Sequence, residues 1–193
     1  MPTSNKEAIK RWEAATGLNP AEATEVKLLC LQPPLDKMEE ALCIFEKVER
    51  LSLSTNNIER IQFLKFKNLR ILSLGRNNIK RIQGLEEVSS TLEELWLSYN
   101  QIEKLEGLSS LAKLTTLFIS NNKVKSWDEV SKLAQLPELK NVLLVGNPIY
   151  GDKNQENYRE LNAPLVVKRI PQIENVDGKM VSAATRAAAD GMD

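Results

Sequence analysis

The chain contains no histidine and only two cysteines among its 193 residues. Without histidine, the sequence excludes Ser-His-Asp triads, histidine proton transfer and histidine metal sites. Two cysteines alone cannot supply the four ligands of a structural zinc site. Neither the Gly-rich phosphate loop nor the glycine pattern of dinucleotide-binding folds occurs. We therefore expect no catalytic residue, no metal ion and no cofactor, and predict that the protein is not an enzyme.

An excess of one charge sign and long apolar runs are also missing. Lys+Arg and Asp+Glu each number 26, which gives a formal net charge of +0. Binders of nucleic acid or membrane surfaces usually carry a basic excess, so neither partner is expected. No apolar run approaches the roughly 20 residues that span a bilayer. The polar N-terminus has no signal-peptide pattern, and we expect Cys30 and Cys43 to be reduced, buried residues of an intracellular protein.

A repeated frame of leucine, asparagine and isoleucine organises most of the chain. Five segments follow the pattern Leu-x-x-Leu-x-Leu-x-x-Asn-x-Ile with conservative replacements, and their frame asparagines are Asn56, Asn77, Asn100, Asn122 and Asn147. These positions are 21, 23, 22 and 25 residues apart. The frame and its period are the signature of the leucine-rich repeat. We predict an α/β fold, a solenoid with a parallel concave sheet and short convex helical turns.

Each part of the frame has a physical role. The Leu-x-Leu pair predicts a short strand with both leucines facing the solenoid interior. The amide of each frame asparagine is expected to satisfy backbone groups of its own and neighbouring loops, so we interpret all five as structural. Apolar residues then recur every third or fourth position, which favours helical turns on the convex side. Trp127 lies on that apolar row, and we expect it in the core.

We expect three regions along the chain: a capping helix in 1–24, leucine-rich repeats in 25–150, and a C-terminal helical cap and tail in 151–193. Ser4 and a glutamate three residues later predict where the first helix begins. Gly17 predicts where that helix ends.

The first repeat is predicted to be degenerate, as expected of a repeat that caps an open core. We assign its frame to Val26, Leu29 and Leu31, which places Pro34 at the asparagine position. A second helix is predicted from Asp36, with apolar residues on one face.

The repeat frame stops after Ile149, and the remaining residues predict a cap. We expect a polar loop at 151–155, then a partly helical stretch that Pro164 interrupts. The segment 176–178 is expected to close the cap. A tail helix beginning at Ser182 is too short to hold alone in water, so it either packs on the cap or is mobile.

The outward-facing positions of the predicted sheet change in character along the chain. The central residues of the five Leu-x-Leu pairs are Ser52, Ser73, Trp96, Phe118 and Leu143. Because adjacent strands lie about 4.8 Å apart, the last three should form one apolar row. An exposed apolar patch that contains tryptophan is typical of a protein interface. The alternative is that a terminal segment folds over the patch.

Five neighbours complete the predicted partner-binding set: Tyr99, Val145, Ile71, Arg70 and Arg76. Charges of both signs surround the patch, which fits the rim of a specific protein interface. Nucleic acid is disfavoured because Glu93 and Glu94 lie beside Trp96, the one tryptophan on which a base could stack.

Residues outside the frame carry a more specific resemblance. The leucine-rich light chain 1 family of axonemal outer-arm dynein is closely similar to this chain at 6–13, 33–38, 51–59, 68–80 and 91–100. The resemblance runs over most of the chain, from about Lys6 to Gly178.

The resemblance implies a non-catalytic subunit of ciliary outer arms. Family members bind an axonemal dynein heavy chain at the microtubule-binding tip of its stalk, and modulate motor attachment and ciliary beating. The implied location is the axoneme of a cilium or flagellum, within the cytoplasm and its cytoskeleton. Trp96, Tyr99 and Phe118 fall on the family's heavy-chain contact.

The cap departs from the family at one place. The family usually has a Lys-Lys pair shortly before the Asp-Gly of the cap, where this chain has Glu174-Asn175. The resemblance implies tubulin, whose surface is acidic, as a second partner near the tail, so the departure removes two cations there. Four nearby cations could partly compensate: Lys168, Arg169, Lys179 and Arg186.

Three other interpretations remain open. The cap pattern is shared with a regulatory subunit of protein phosphatase 1, which would have more repeats, and with a spliceosomal leucine-rich repeat protein. The spliceosomal type would require a nuclear location, and no basic import cluster is evident. A structural adaptor without a motor is the third. The whole-length match and the helix that contains Trp12 favour the dynein family.

Overall fold

The computed structural model describes residues 1–151 and 157–192. Within these residues, one sheet holds eight strands in chain order: β1 (Glu25–Lys27), β2 (Arg50–Ser52), β3 (Ile71–Ser73), β4 (Glu94–Trp96), β5 (Thr116–Phe118), β6 (Asn141–Leu143), β7 (Asn175–Val176) and β8 (Lys179–Met180). Strands β1 to β7 are parallel, and β8 is antiparallel to β7. No helix in the described part of the chain is long and apolar enough to cross a membrane.

The strand register stacks equivalent leucines of successive repeats. Leu51 pairs with Leu72, Leu72 with Leu95, and Leu95 with Leu117, and all four are at most 1% exposed. Because alternate strand residues face opposite sides, these leucines fill the interior while their neighbours line the concave face. The predicted α/β leucine-rich repeat solenoid with a parallel sheet is confirmed.

The frame asparagines join successive repeats by hydrogen bonds. The Oδ1 atom of Asn100 accepts from the N–H of Ile79 at 2.9 Å, and its Nδ2 donates to the carbonyl oxygens of Leu74 and Leu97, each at 3.0 Å. The other four make the same kinds of contact. All five are at most 8% exposed, so their amides take the place of water for buried backbone groups.

The convex side is helical in only some repeats. The helical turns are the 3-10 helices Glu40–Ile44, Glu86–Val88 and Lys132–Gln135 and the helix α2 (Trp127–Ser131). The repeat between Asn122 and Asn147, 25 residues long, contains two of these helical turns, α2 and Lys132–Gln135. The 21- and 22-residue repeats contain no helix on the convex side. The predicted convex helical turns therefore occur in the repeats of 23 or 25 residues, and the shorter repeats lack them.

The N-terminal helix α1 (Asn5–Thr16) covers the first end of the core. Ser4 Oγ accepts from the N–H of Glu7 at 3.2 Å, and Gly17 ends the helix in the left-handed conformation at φ 68°. Both ends match the prediction. Trp12 is 8% exposed and packs edge-on against Phe45, with ring centroids 5.3 Å apart.

The degenerate first repeat has a different register from the predicted one. Strand β1 aligns Val26 with Leu51, so Leu28 occupies the second buried position and Leu29 is 41% exposed. Leu31, not Pro34, therefore stands where the asparagine would be. The segment offers two apolar pairs three residues apart, and the frame alone does not distinguish them.

This register also corrects the prediction that both cysteines are buried. Cys30 is exposed and Cys43 is half-buried, and both are free thiols. Cys30 lies in the turn after β1 with φ 53°, which directs it away from the core. The helix predicted from Asp36 begins only at Glu40, as the 3-10 helix Glu40–Ile44.

The C-terminal cap contains α3 (Tyr158–Arg169) and α4 (Ala183–Asp190). Helix α3 continues through Pro164, so the predicted interruption is wrong. Proline removes one backbone donor, and α3 as a whole packs against α4. The tail is packed, since Arg186 donates to the carbonyl oxygens of Pro171 and Ile173 at 3.0 and 2.8 Å. The predicted polar loop lies, from residue 152 onward, outside the described residues.

Candidate partner-binding surface

The concave face carries a row of large apolar side chains on its last three repeat strands. The register aligns Trp96 with Phe118 and Phe118 with Leu143. The rings of Trp96 and Phe118 lie 5.5 Å apart at an interplanar angle of 33°. Trp96 is 37% exposed and Tyr99, in the turn after β4, is 49% exposed. We call Trp96, Tyr99, Phe118 and Leu143 the apolar patch.

The exposure of Trp96 is not a requirement of the fold. Its neighbours Leu95 and Leu97 fill the interior positions and are both 0% exposed. The indole N–H of Trp96 donates to Glu94 Oε2 at 3.1 Å, which holds the ring in one orientation on the surface. A large aromatic ring outside the core is typical of a binding residue.

Small polar residues form the concave floor on the N-terminal side of the patch. Ser73 pairs in register with Trp96, and its Oγ lies 2.7 Å from that of Ser54. Ile71 is half-buried there and lines a shallow depression of about 200 Å³ that ends at Trp96. A Cβ at Gly75 would lie 3.3 Å from the carbonyl oxygen of Ser98, so a small residue suits this position.

Two arginines of the predicted set lie beside the patch in different environments. Arg70 donates to both carboxylate oxygens of Glu93, at 3.0 and 2.8 Å. Arg76 lies over the ring of Tyr99, with its guanidinium carbon 4.5 Å from the ring centroid. Arg70 is thus already paired, whereas Arg76 extends the patch with a cation on an aromatic face.

Val145 does not belong to the exposed surface, so its predicted exposure is wrong. Its side chain is 8% exposed and part of the core. Its N–H donates to Asp177 Oδ1 at 2.9 Å, because the C-terminal cap continues the sheet beyond β6 at this end. The other predicted residues stay on the concave side or its rim.

Neither terminal helix covers the apolar patch. Helix α1 packs against Glu40–Ile44 at the first end of the solenoid, and α4 packs against α3 at the other. The alternative that a terminal segment folds over the patch therefore does not hold for the described residues. The exposures of Trp96 and Tyr99 are those of an open surface.

The sequence interpretation missed the left-handed turn that follows each strand. Thr55, Arg76, Tyr99 and Asn121 each precede a frame asparagine and have φ between 53° and 60°. The equivalent residue before Asn147 is a glycine, which adopts this conformation without strain. That glycine was the signal in the sequence for a left-handed residue before each frame asparagine. The left-handed conformation places the side chains of Arg76 and Tyr99 beside each other.

A buried polar pair that closes the cap was also missed. Asp177 accepts from the N–H groups of Leu144 and Val145 at 2.7 and 2.9 Å and from the hydroxyl of Tyr150 at 2.5 Å. Burial and the adjacent carboxylate raise the pKa of Tyr150 far above its usual value. The hydroxyl therefore stays protonated and acts as a structural donor.

The four cations near the departing cap sequence are engaged within the chain. Lys168 and Arg186 donate to backbone carbonyls, and Lys179 pairs with Glu160. The guanidinium carbon of Arg169 lies 4.8 Å from the ring centroid of Trp127. Trp127, predicted to lie in the core, is half-buried and packs against the outside of the buried cluster. These contacts give no support to the predicted compensation for the missing lysine pair.

Comparison with known proteins places the chain among leucine-rich repeat proteins. The family model described as "Leucine Rich repeats (2 copies)" matches residues 46–87 and 90–132. Dynein axonemal light chain 1 of Homo sapiens is 51% identical over 180 residues, which cover 93% of each chain. Its counterpart from Chlamydomonas reinhardtii is 44% identical over 189 residues, covering 97% of this chain and 96% of the relative.

A solved structure shares the fold at lower sequence identity. A chain of the Drosophila melanogaster SNF/U2A′ complex superposes with a TM-score of 0.62, covering 81% of this chain and 91% of that chain. The two sequences are 20% identical, so this likeness bears on the fold alone.

Proposed function

The chain belongs to the dynein axonemal light chain 1 family, and we propose from this membership that it is a non-catalytic subunit of an axonemal outer-arm dynein. The name of its relatives implies association with dynein and a location in the axoneme of a cilium or flagellum. Coverage of more than nine-tenths of both relatives supports the same role for the whole chain.

The proposed partner is the dynein heavy chain, and the proposed contact is the microtubule-binding tip of its stalk. The observation that carries the proposal is the adjacent pair of rings on β4 and β5, the exposed Trp96 and the half-buried Phe118. Tryptophan and tyrosine are enriched among the residues that dominate binding energies. Trp96 and Tyr99 place both types on one open surface.

The surroundings of the patch fit a protein partner better than a small ligand. The concave depression beside Trp96 holds only about 200 Å³ and is shallow, whereas ligand pockets usually exceed about 300 Å³. Charges of both signs lie at the rim, as Arg70, Glu93 and Arg76 show. Such a rim adds specificity around an apolar centre.

The proposed mechanism requires no chemistry from this chain. A rigid solenoid bound beside the microtubule-binding tip changes the free energy of motor attachment by steric contact or by favouring one stalk conformation. Its effect on the free energy of motor attachment equals the difference between its binding free energies for the attached and the detached motor. In this mechanism the light chain lies near tubulin because the heavy chain to which it is bound attaches to the microtubule.

The test is a binding titration of the full chain with isolated stalk-tip fragments of axonemal dynein heavy chains. Trp96→Ala should weaken binding to one fragment by about 2 kcal/mol, which is roughly thirtyfold, with little change in melting temperature. Phe63→Ala is the matched control, since Phe63 is 39% exposed but lies in the connection between β2 and β3.

Two results would contradict the proposal. Equal weakening by the Trp96 and Phe63 substitutions would remove the binding site from the concave face. Absence of saturable binding to any stalk fragment would favour the phosphatase-type, spliceosomal or adaptor interpretations.

A further inference from the structure

A second surface lies on the side of the solenoid, beyond the row of frame asparagines. Two adjoining grooves of about 630 and 490 Å³ share Lys80, Arg81 and Gln83 in their walls. We call their joint surface the lateral basic groove. The cations that line it are Arg60, Lys80, Arg81, Lys104 and Lys123.

The cations of the lateral basic groove outnumber the carboxylates that line it. All five are exposed, and none takes part in an ion pair that the structure describes. Three carboxylates also line the groove, those of Glu59, Glu103 and Glu106. The groove therefore keeps a positive excess in a chain whose formal net charge is +0.

The cations follow the repeat and so form a line. They come from four successive repeats, which span about three strand spacings, or roughly 14 Å. At about 3.3 Å per residue, four or five residues of an extended polypeptide cover that length. A groove of this shape fits an extended segment better than a folded surface.

The chemistry of the groove favours an acidic polypeptide over nucleic acid. No aromatic side chain among the lining residues offers a stacking surface for bases, which disfavours single-stranded nucleic acid. The amides of Gln83 and Gln101 lie in the groove, and amides can pair with both N–H and C=O groups of a peptide backbone.

The lateral basic groove adjoins the rim of the apolar patch. Gln101 lines the groove and donates to Asn78 Oδ1 at 3.4 Å. Asn78 is two residues from Arg76, which lies over Tyr99. A bound segment could therefore continue from the groove to the concave side.

We propose that the lateral basic groove binds an acidic, extended segment of a protein partner. This goes beyond the proposed function, because the groove lies outside the concave face and its charges act whether or not the patch holds a heavy chain. Attraction to an acidic segment would be electrostatic, so it should weaken as salt screens the charges.

The test uses the full chain and a fluorescent peptide in which glutamate alternates with serine, followed by anisotropy at about 0.1 M salt. The variant Lys80→Glu/Arg81→Glu should weaken binding at least tenfold. The matched control is Lys10→Glu/Lys113→Glu, which makes the same change in net charge at exposed lysines outside the groove, and it should change affinity less than twofold. Circular dichroism and melting check that both variants fold.

Binding of the acidic peptide, lost in the groove variant and absent for the matching Gln-Ser peptide, would support the proposal. Equal weakening by the two double variants would overturn it, because the attraction would then come from net charge alone. Lack of saturable binding would also overturn it. Tighter binding of a single-stranded oligonucleotide of equal charge, sensitive to the same variant, would replace the acidic polypeptide by nucleic acid.

Discussion

Replacing Asn100 by alanine tests how the repeats are held together. The side chain makes one bond to the N–H of Ile79 and two to the carbonyl oxygens of Leu74 and Leu97. The site is 8% exposed, so water would not readily replace the amide. Alanine removes all three bonds and leaves the backbone in place.

The substitution does not leave the three backbone groups equally short of hydrogen-bond partners. The carbonyl of Leu74 keeps a bond from Asn77 at 3.0 Å, and that of Leu97 keeps one from Asn122 at 2.9 Å. The N–H of Ile79 has no such substitute among the side-chain bonds described. An orphaned donor costs about 1–3 kcal/mol and each lost carbonyl bond about 0.5–1.5 kcal/mol. We expect Asn100→Ala to lower the free energy of unfolding by about 2–6 kcal/mol.

The assay is urea denaturation followed by circular dichroism, with thermal melting alongside. For a domain of this size, a loss of about 3 kcal/mol corresponds to roughly 6–12 °C in melting temperature. Asn78→Ala is the matched control, because Asn78 is half-buried, is not a frame asparagine, and among the described residues makes one long side-chain bond. That variant should lose about 0.5 kcal/mol or less. Equal losses of unfolding free energy in the two variants would show that the frame asparagine contributes no more to stability than Asn78.

Three further predictions concern the ends of the solenoid and one convex carboxylate. Trp12→Ala should destabilise the protein by about 3–5 kcal/mol, measured by urea denaturation, because its ring caps the core beside Phe45; a loss under 1 kcal/mol would count against this role. Asp177→Ala should cost more than Asp177→Asn, since asparagine keeps one acceptor and tolerates φ 52°; equal melting temperatures would contradict this. Although burial opposes ionisation, bonds from Lys132 and a backbone N–H hold the pKa of Glu129 below its usual 4.5. The stabilisation from ionised Glu129 is complete above pH 4.5 and is lost as pH falls through the lowered pKa. Urea denaturation should therefore show that Glu129→Gln lowers the free energy of unfolding by about 1 kcal/mol at pH 7 and by less below pH 4.5. A loss that does not change with pH would contradict this.

The regular repeats could be predicted from sequence because several requirements coincide there. Leu72 and Leu74 must alternate into the core, and the frame asparagine Asn77 must follow at a fixed distance. The period therefore specifies the register and the face of each strand. Since the core positions are defined, the outward position of Trp96 follows directly, and this made the candidate surface predictable.

Where the frame degenerates, the sequence no longer distinguishes between registers. Residues 26–31 contain two apolar pairs, and pairing with β2 selects the first pair, Val26 and Leu28. The exposure of Cys30 follows from that choice and could not be predicted without it. At the other end, the strand β7 of the cap pairs with β6, a contact between distant segments that local periodicity does not contain, and it places Val145 beneath the cap.

The features missed near the site have a common cause in backbone conformation. The side chains of Arg76 and Tyr99 meet because the residue before each frame asparagine is left-handed. Polar residues of mixed type occupy these positions, so composition gives a weak signal. The line of cations in the lateral basic groove likewise appears only when the repeats are stacked, since Lys80 and Lys123 are far apart in the sequence.

Photo-cross-linking shows whether the concave face binds the dynein heavy chain beside Trp96. Ser73 pairs in register with Trp96 on the concave side, so Ser73→p-benzoylphenylalanine places the reactive group next to the apolar patch. The control places the same group at Phe63, an exposed site between β2 and β3. After irradiation of the full chain with a heavy-chain stalk fragment, we expect a cross-link from position 73 and none from position 63. A cross-link from position 63 alone would contradict this expectation.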